Sequence, residues 1–385
     1  MRSLYCFLLL MASSLVSFAT HVSGGYIRAT PVAGRALTYQ ITVTMYYDAT
    51  AGSGAAQAAT SLYVCFGDNS NAEMINRTSV RPFPAEQGRF TVNEYTTTRT
   101  YPGAGVYAIQ ATAINRNSNT RNIKGGASIE QAFSLNTTIW ISADRQNQTP
   151  VVSLPATGLI VGLNQRAALQ LGATDADGDS LTFSLAIPLT SSVSDGATAI
   201  RCASFTNDIA GYQFPNDVSQ KGTYRLNGRT GLLNWDVPTE EGQYAAAILV
   251  SEWRAGGLIS QTQHEVIITV ADRGGAIVTP PAYEPAQSSS LVTAIPETGA
   301  SEMVLLVAPN PVTGESAQVE FLAGRSGLTV LELIDSQGRV YETIRLNLPE
   351  GRYKHTFDLT GKPAGLYLIR VESGRRQMTR KVLKR

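Results

Sequence analysis

The sequence predicts an all-β chain built as two tandem sandwiches followed by a third, smaller one. Two observations carry that prediction. Apolar and polar residues alternate over short runs, and the runs are separated by Gly, Asn, Asp and Pro turns in a chain rich in Gly, Tyr and Thr. A length of 385 residues is enough for two to four domains.

The first stretch is read as a leader. Met1-Arg2, an apolar run from Leu4 to Val16 and then Ser17-Phe18-Ala19 have the charged, apolar and small-x-small parts of a secretory signal. Cleavage would leave Thr20 first, and about 13 apolar-rich residues are too few to span a bilayer. No other stretch is long and apolar enough to span one, so no transmembrane segment is expected in the mature chain. His21, beside the new amino terminus, offers a metal ligand, but a loose terminus is the simpler reading.

The first module, 20–145, opens with Thr20-His21-Val22-Ser23-Gly24-Gly25. Tyr39 to Asp48 alternates, with Tyr39, Ile41, Val43, Met45 and Tyr47 on one face and Gln and Thr on the other up to Tyr46, the pattern of a half-buried antiparallel strand. Ala49 to Thr60 has no periodicity and reads as a loop. Leu62 to Phe66 reads as a strand entering a tight turn at Gly67-Asp68-Asn69-Ser70, and Phe133, Leu135, Ile139 and Ile141 alternate in the last strand. Phe66-Gly67-Asp68 together with Thr100-Tyr101-Pro102-Gly103-Ala104-Gly105-Val106-Tyr107 resembles the PKD-type Ig-like repeat, with Asn69 in place of that family's second turn glycine. The opening residues resemble the N-terminus of secreted surface proteins of gliding bacteria with a PKD-like layout. Asn76-Arg77-Thr78 and Asn136-Thr137-Thr138 fit the glycosylation pattern and are taken as chance matches.

The second module, 146–272, starts at Asn147-Gln148-Thr149-Pro150-Val151. Its most informative residues are Asp175, Asp177 and Asp179, three carboxylates within five residues, between two alternating strands. Anions held that close repel, and a hard, oxygen-seeking cation such as calcium removes that cost. The EF-hand loop does not fit, because its twelfth position would be Ala186 instead of Glu. Asp175 to Ser184 resembles the acidic turn of cadherin-like and Ig-like bacterial surface repeats, which occur with and without calcium. An Asx-rich turn without metal stands beside the calcium reading. Glu252 and Asp272, at strand ends, are candidate extra ligands. Thr230-Gly231-Leu232-Leu233-Asn234-Trp235 and Gly242-Gln243-Tyr244 resemble the same repeats. They make Trp235 and Tyr244 core residues, with a glycan platform as the alternative.

Residues 273–302 turn to Gly, Pro, Ser, Thr and Ala and read as an extended, accessible linker. The stretch 303–385 contains Pro309-Asn310-Pro311, the strand Leu328 to Asp335, a turn at Ser336 to Arg339, the run Pro363 to Val371 and the basic end Arg380 to Arg385. These motifs, in this order, resemble the type A C-terminal sorting domain of proteins exported by the type IX secretion system. The resemblance implies a small β-sandwich, export through the periplasm to the outer cell surface, recognition by the secretion machinery, removal by a sortase-like protease that cuts in the linker, and attachment to cell-surface polysaccharide or lipopolysaccharide.

Charge divides with the modules. Residues 303–385 hold 13 Lys and Arg against 8 Asp and Glu, whereas 20–302 hold 17 against 22, so the exported part is acidic and unsuited to nucleic acid. Cys65 and Cys202 fall in different modules and are expected to be buried free thiols. His21, His264 and His355 are spread one per module, and no zinc pattern, nucleophile elbow or phosphate loop is present, so no enzyme is expected. The expected role is adhesion or matrix building through other surface proteins or glycans. The alternative is a carbohydrate-binding protein, or an accessory subunit of a surface glycan-degrading system, using Tyr46, Tyr47 or Trp253.

Overall fold

The computed structural model describes residues 22–50, 53–85, 89–113, 116–124, 128, 131–191, 202, 206–289, 305–323, 327–349, 351–374 and 376–385. The leader and His21 lie outside them. The first module contributes β1 (Val22–Pro31), β2 (Thr38–Asp48), a short helix α1 (Ser53–Ala58), β3 (Ser61–Cys65), β4 (Glu73–Pro82), β5 (Phe90–Thr100), β6 (Gly105–Ala113) and β7 (Phe133–Ile141). The second contributes β8 (Val151–Val152), β9 (Ile160–Gly162), β10 (Arg166–Gln170), β11 (Ala173–Thr174), β12 (Ser180–Ala186), β13 (Leu189–Thr190), β14 (Asn207–Asp208), helix α2 (Pro215–Ser219), β15 (Thr223–Asn227), β16 (Leu232–Asp236), β17 (Gly242–Arg254) and β18 (Gly257–Ala271). After β19 (Gln287–Ser289) come β20 (Leu305–Ala308), β21 (Ser316–Ala323), β22 (Gly327–Asp335), β23 (Val340–Leu348), β24 (Gly351–Asp358), β25 (Gly365–Ser373) and β26 (Arg376–Lys384). The chain is all-β with several sheets; α1 occupies part of the stretch read as a loop.

Strand β2 shows how alternation becomes packing. Tyr39, Ile41, Val43, Met45 and Tyr47 enter one core with Ile109, Leu135 and Ile139. Its other face was expected to stay half exposed, yet Thr44 and Tyr46 are buried. Tyr46 packs into the second module's core with Tyr26, Phe83 and Phe90. A second hydrophobic surface therefore covers what a lone sandwich would leave wet.

The cause is β18. Along one edge it pairs with β17 from Arg254↔Gly257 to Gly242↔Val270, and along the other it pairs successively with β7, β1 and β9. Strands β1, β2, β5, β4, β3, β6 and β7 thus form a ring that closes through a strand of the second module. Closure removes the exposed edges that β1 and β7 would otherwise present. The buried Arg116 guanidinium, from the first module, forms an ion pair with Glu265 on β18 and donates to the Leu189 carbonyl at 2.6 Å. The expectation for the cysteines is corrected. Cys65 and Cys202 form a disulfide, with Cα atoms 5.5 Å apart, because the shared sheet brings the two modules into direct contact.

The linker is corrected in part. Residues 273–289 lie against the second module. Arg273 donates to the Ile160 carbonyl at 2.8 Å, Val278 N–H to that of Asn164 at 2.9 Å, and Tyr283 to Asp217 at 2.9 Å. Glu284 pairs with Arg225, and β19 adds in parallel to β15. The C-terminal module has two sheets, β20-β21-β24 and β23-β22-β25-β26, around its own core of Leu305, Val319, Phe321, Leu331, Ile369 and neighbours. Its contacts with the rest include the reciprocal backbone bonds Val106 N–H to Asn310 O (3.0 Å) and Asn310 N–H to Val106 O (3.3 Å), the Asn69 amide donating to the Thr313 hydroxyl (2.5 Å), Lys354 to the Thr206 carbonyl (3.4 Å), and the Arg385 guanidinium close over Gly103.

Candidate functional site

The acidic turn joins β11 to β12 at the end of the second module where β17 turns into β18. Asp175 organises it. Its Oδ1 accepts the backbone N–H of Asp177 at 2.9 Å and of Asp179 at 2.7 Å, and Gly178 takes φ +82°, a left-handed conformation that a side chain disfavours. The turn is thereby closed by its own first carboxylate.

The three aspartates do not share one environment. Asp177 accepts the Gln148 N–H at 2.8 Å and lies 3.4 Å from the Arg254 guanidinium. Arg254 also grips Asp179, with Nε 2.8 Å from Oδ1, and donates to Asn147 Oδ1 at 2.7 Å. Carboxylate oxygens of Asp175, Asp179 and Glu252 lie within 4.8 Å of one another, so Glu252 stands where Asp177 was expected. Asp272 is elsewhere. It follows the far end of β18, twelve residues beyond Ser260, the partner of Glu252, which is about 40 Å along an extended strand. Its carboxylate instead accepts the N–H of Gly274 at 3.0 Å.

Glu252 is fully buried. Its Oε2 accepts from Asn147 Nδ2 at 2.8 Å and from the Ser260 hydroxyl, whereas Oε1, like Asp175 Oδ2, has no hydrogen-bond partner. Burial pushes the Glu252 carboxyl up to about 8, and the neighbouring Asp175 carboxyl pushes the same way against the donors Ser260 and Asn147. Glu252 and Asp175 thus each present one buried carboxylate oxygen without a donor. Hard oxygens with two unpartnered atoms fit calcium, and Arg254 is an internal counter-charge that already neutralises Asp179. Arg254 is itself held protonated more firmly than usual, chiefly by its bond to Asp179.

The aromatic candidates are also resolved. Trp235 and Tyr244 pack edge to face at 5.0 Å in the core, and Tyr46 and Tyr47 are buried, which removes them as a glycan platform. Trp253 donates its indole N–H to Thr182 at 2.9 Å. The exposed tryptophan is Trp140, on the outward face of β7 at 48% exposure. The clue in the sequence is its place among the polar positions of an alternating strand. His264 is buried between Tyr26 and Tyr46, and burial lowers its imidazole to about 3, so it is a neutral packing residue. His355 packs on Phe357 and is lowered for the same reason. No helix among the described residues is long and apolar enough to cross a membrane.

No curated protein matches the chain. Solved structures similar to it include the FN1–FN3 domains of chicken CNTN1 (10% identity, 94% of this chain and 99% of that one, TM-score 0.18). Two others are domains A168–A170 of titin (13%, 96% and 100%, 0.17) and the BSP domain of a biofilm associated protein (8%, 99% and 69%, 0.19). Residues 306–385 match the secretion system C-terminal sorting domain. The chain therefore ends in a type IX sorting domain, which engages the secretion machinery and directs it across the outer membrane to the cell surface or exterior.

Proposed function

We propose that the exported part is a non-enzymatic surface protein serving adhesion or extracellular matrix. In this reading it is a PKD-like module and a cadherin-like module welded into one body and stiffened by calcium at Asp175, Asp179 and Glu252. The supporting observation is the contrast in joints: strand β18, the Arg116–Glu265 pair and the Cys65–Cys202 bond fix the first two modules together, while the sorting domain keeps a separate core. A sortase-like protease removes the sorting domain and joins the product to surface polysaccharide or lipopolysaccharide. Because residues 273–289 are held to the second module, the cut falls beyond Ser289.

Three measurements test this. Deleting 380–385 removes most of β26, which completes the sorting domain's four-stranded sheet, and should leave the protein in the periplasm. Mass spectrometry of surface-released protein should show a start at Thr20 and an end beyond Ser289. Export of the truncated chain in normal amount, or surface protein that retains Arg385, would contradict the reading. Cells lacking the protein should aggregate poorly; normal aggregation would remove the adhesive role.

A further inference from the structure

The outward face of the shared sheet carries a second arrangement, which begins beside the β17–β18 hairpin and runs along β7 and β18. Cross-strand partners place their side chains on one face, and here Val106 pairs with Trp140, Thr138 with Gln261, Gln261 with Ser251, and Gln263 with Leu249. Trp140, Thr138, Asn136, Gln261 and Gln263 therefore lie together across β7 and β18. Two cavities of about 510 and 260 Å³ sit over them. The sorting domain forms the opposite wall, with Leu305 to Val307, Arg380 and Lys381 over the first and Glu320 and Lys354 over the second.

Two details point to a ligand. Gln263 is 3% exposed; its Nε2 donates to the Ile187 carbonyl at 3.3 Å, but its Oε1 has no partner. Asn136 Oδ1 is likewise buried and unpartnered. Buried acceptors left without donors are costly, and a ligand hydroxyl would satisfy them. Beside them Trp140 exposes a broad apolar ring.

We propose that this face binds a neutral oligosaccharide, and that the sorting domain covers it until it is removed. The indole offers a flat surface for the C–H face of a pyranose ring. Asn136, Gln261 and Gln263 offer amide donors and acceptors to its hydroxyls, with Thr138 between them. These five side chains carry no charge, and Asp208, the one charged residue that the first two modules add to the lining, is exposed, so a neutral sugar pairs with the face without leaving an ion desolvated. The cover is held by polar contacts, the Val106–Asn310 backbone pair and the Asn69–Thr313 and Lys354–Thr206 bonds, and shares no hydrophobic core with the face beneath it, so it is separable.

The proposal rests on sorting-domain removal, so the test makes that removal independent of the cell. A specific protease site replaces 293–298 of the full chain, which is purified, cut and freed of the sorting domain. Neither core of the first two modules contains a sorting-domain residue, so the remainder keeps its packing. Cellohexaose, xylohexaose, mannohexaose and maltohexaose are titrated calorimetrically into cut and uncut protein. One of them should bind the cut protein at least about tenfold more tightly than the uncut. Trp140→Ala, at an exposed position, should weaken that binding at least about tenfold, as for a central aromatic anchor. Asn136→Ala should weaken it several-fold. Binding by none of the four sugars, equal binding before and after cutting, or unchanged affinity in Trp140→Ala overturns the proposal. Retention of the sorting domain on cells counts against removal in vivo and leaves this surface intact.

Discussion

The chain has two boundaries between modules, and they are built in opposite ways. At the first, β18 belongs to the second module by sequence and to the ring of the first by hydrogen bonding, and Tyr26, Tyr46 and Phe90 leave their own module's core for their neighbour's. At the second, the sorting domain keeps a core of its own. Connectivity and energetics therefore disagree at the first boundary and agree at the second. A chain that is to lose one part and keep the other intact needs this asymmetry.

The strongest way to break the comparison is at the buried ion pair. Arg116→Ala leaves Glu265 buried without its partner and should cost about 3–5 kcal/mol. Thermal melting should show both modules weakened in one transition; loss of the first module alone would mean that the weld is not energetic. Next comes the disulfide. Cys65→Ser opens a link spanning 137 residues and should cost about 2–4 kcal/mol in denaturant unfolding.

Two buried groups then sharpen the picture through pH. His264 is held neutral with its value near 3, so the unfolded chain binds its proton below about 6.5 and the native chain does not. Stability falls through this group as pH drops from 6.5 towards 3, with a limiting slope of about 1.4 kcal/mol per pH unit. Glu252 has the opposite sign. Its value near 8 means that the native chain holds a proton the unfolded chain releases above about 4.5, so stability falls as pH rises from 4.5 towards 8. Melting temperatures of His264→Phe and Glu252→Gln, measured from pH 4 to 8 against the parent, should deviate with opposite slopes.

Calcium should give a smaller effect. With dissociation constants of roughly 0.1 to 1 mM, as in extracellular modules, 1 mM calcium adds about 0.4–1.4 kcal/mol, or about 1 to 4 °C. Glu252→Gln and Asp175→Asn should abolish the shift, Asp177→Asn should largely keep it, and Arg254→Gln should enlarge it by removing the internal counter-charge. The full chain is required, because a 146–272 fragment would leave β18 without β7 and β1. Smallest of all, cutting away the sorting domain should change the stability of the first two modules by less than about 0.5 kcal/mol, as for surface contacts. A larger loss would erase the contrast between the joints.

Local information made part of this legible. The alternation of Tyr39 to Tyr47, the core placement of Trp235 and Tyr244 and the motifs of the sorting domain are all written within short windows. The shared strand is not, because the partner along β18's second edge is chosen by residues more than a hundred positions away, with no trace in the alternation of Thr262 to Val270. The cysteine expectation failed for that reason: assigning Cys65 and Cys202 to separate modules hid their contact. At the acidic pole the sequence indicated Asp175 and Asp179 but could not show Arg254 folding back on Asp177, since a β-turn between β17 and β18 sets that approach.

The docked segment 273–289 has a mechanical consequence. In a protein tethered beyond Ser289, a pull from the surface first meets the few hydrogen bonds of β19 on β15, and the long ladder between β17 and β18 only later. Peeling that segment would free 17 residues, with a contour length of about 55 to 60 Å, before the welded body is loaded. The tail would then act as a resettable extension spring between a stiff head and its anchor.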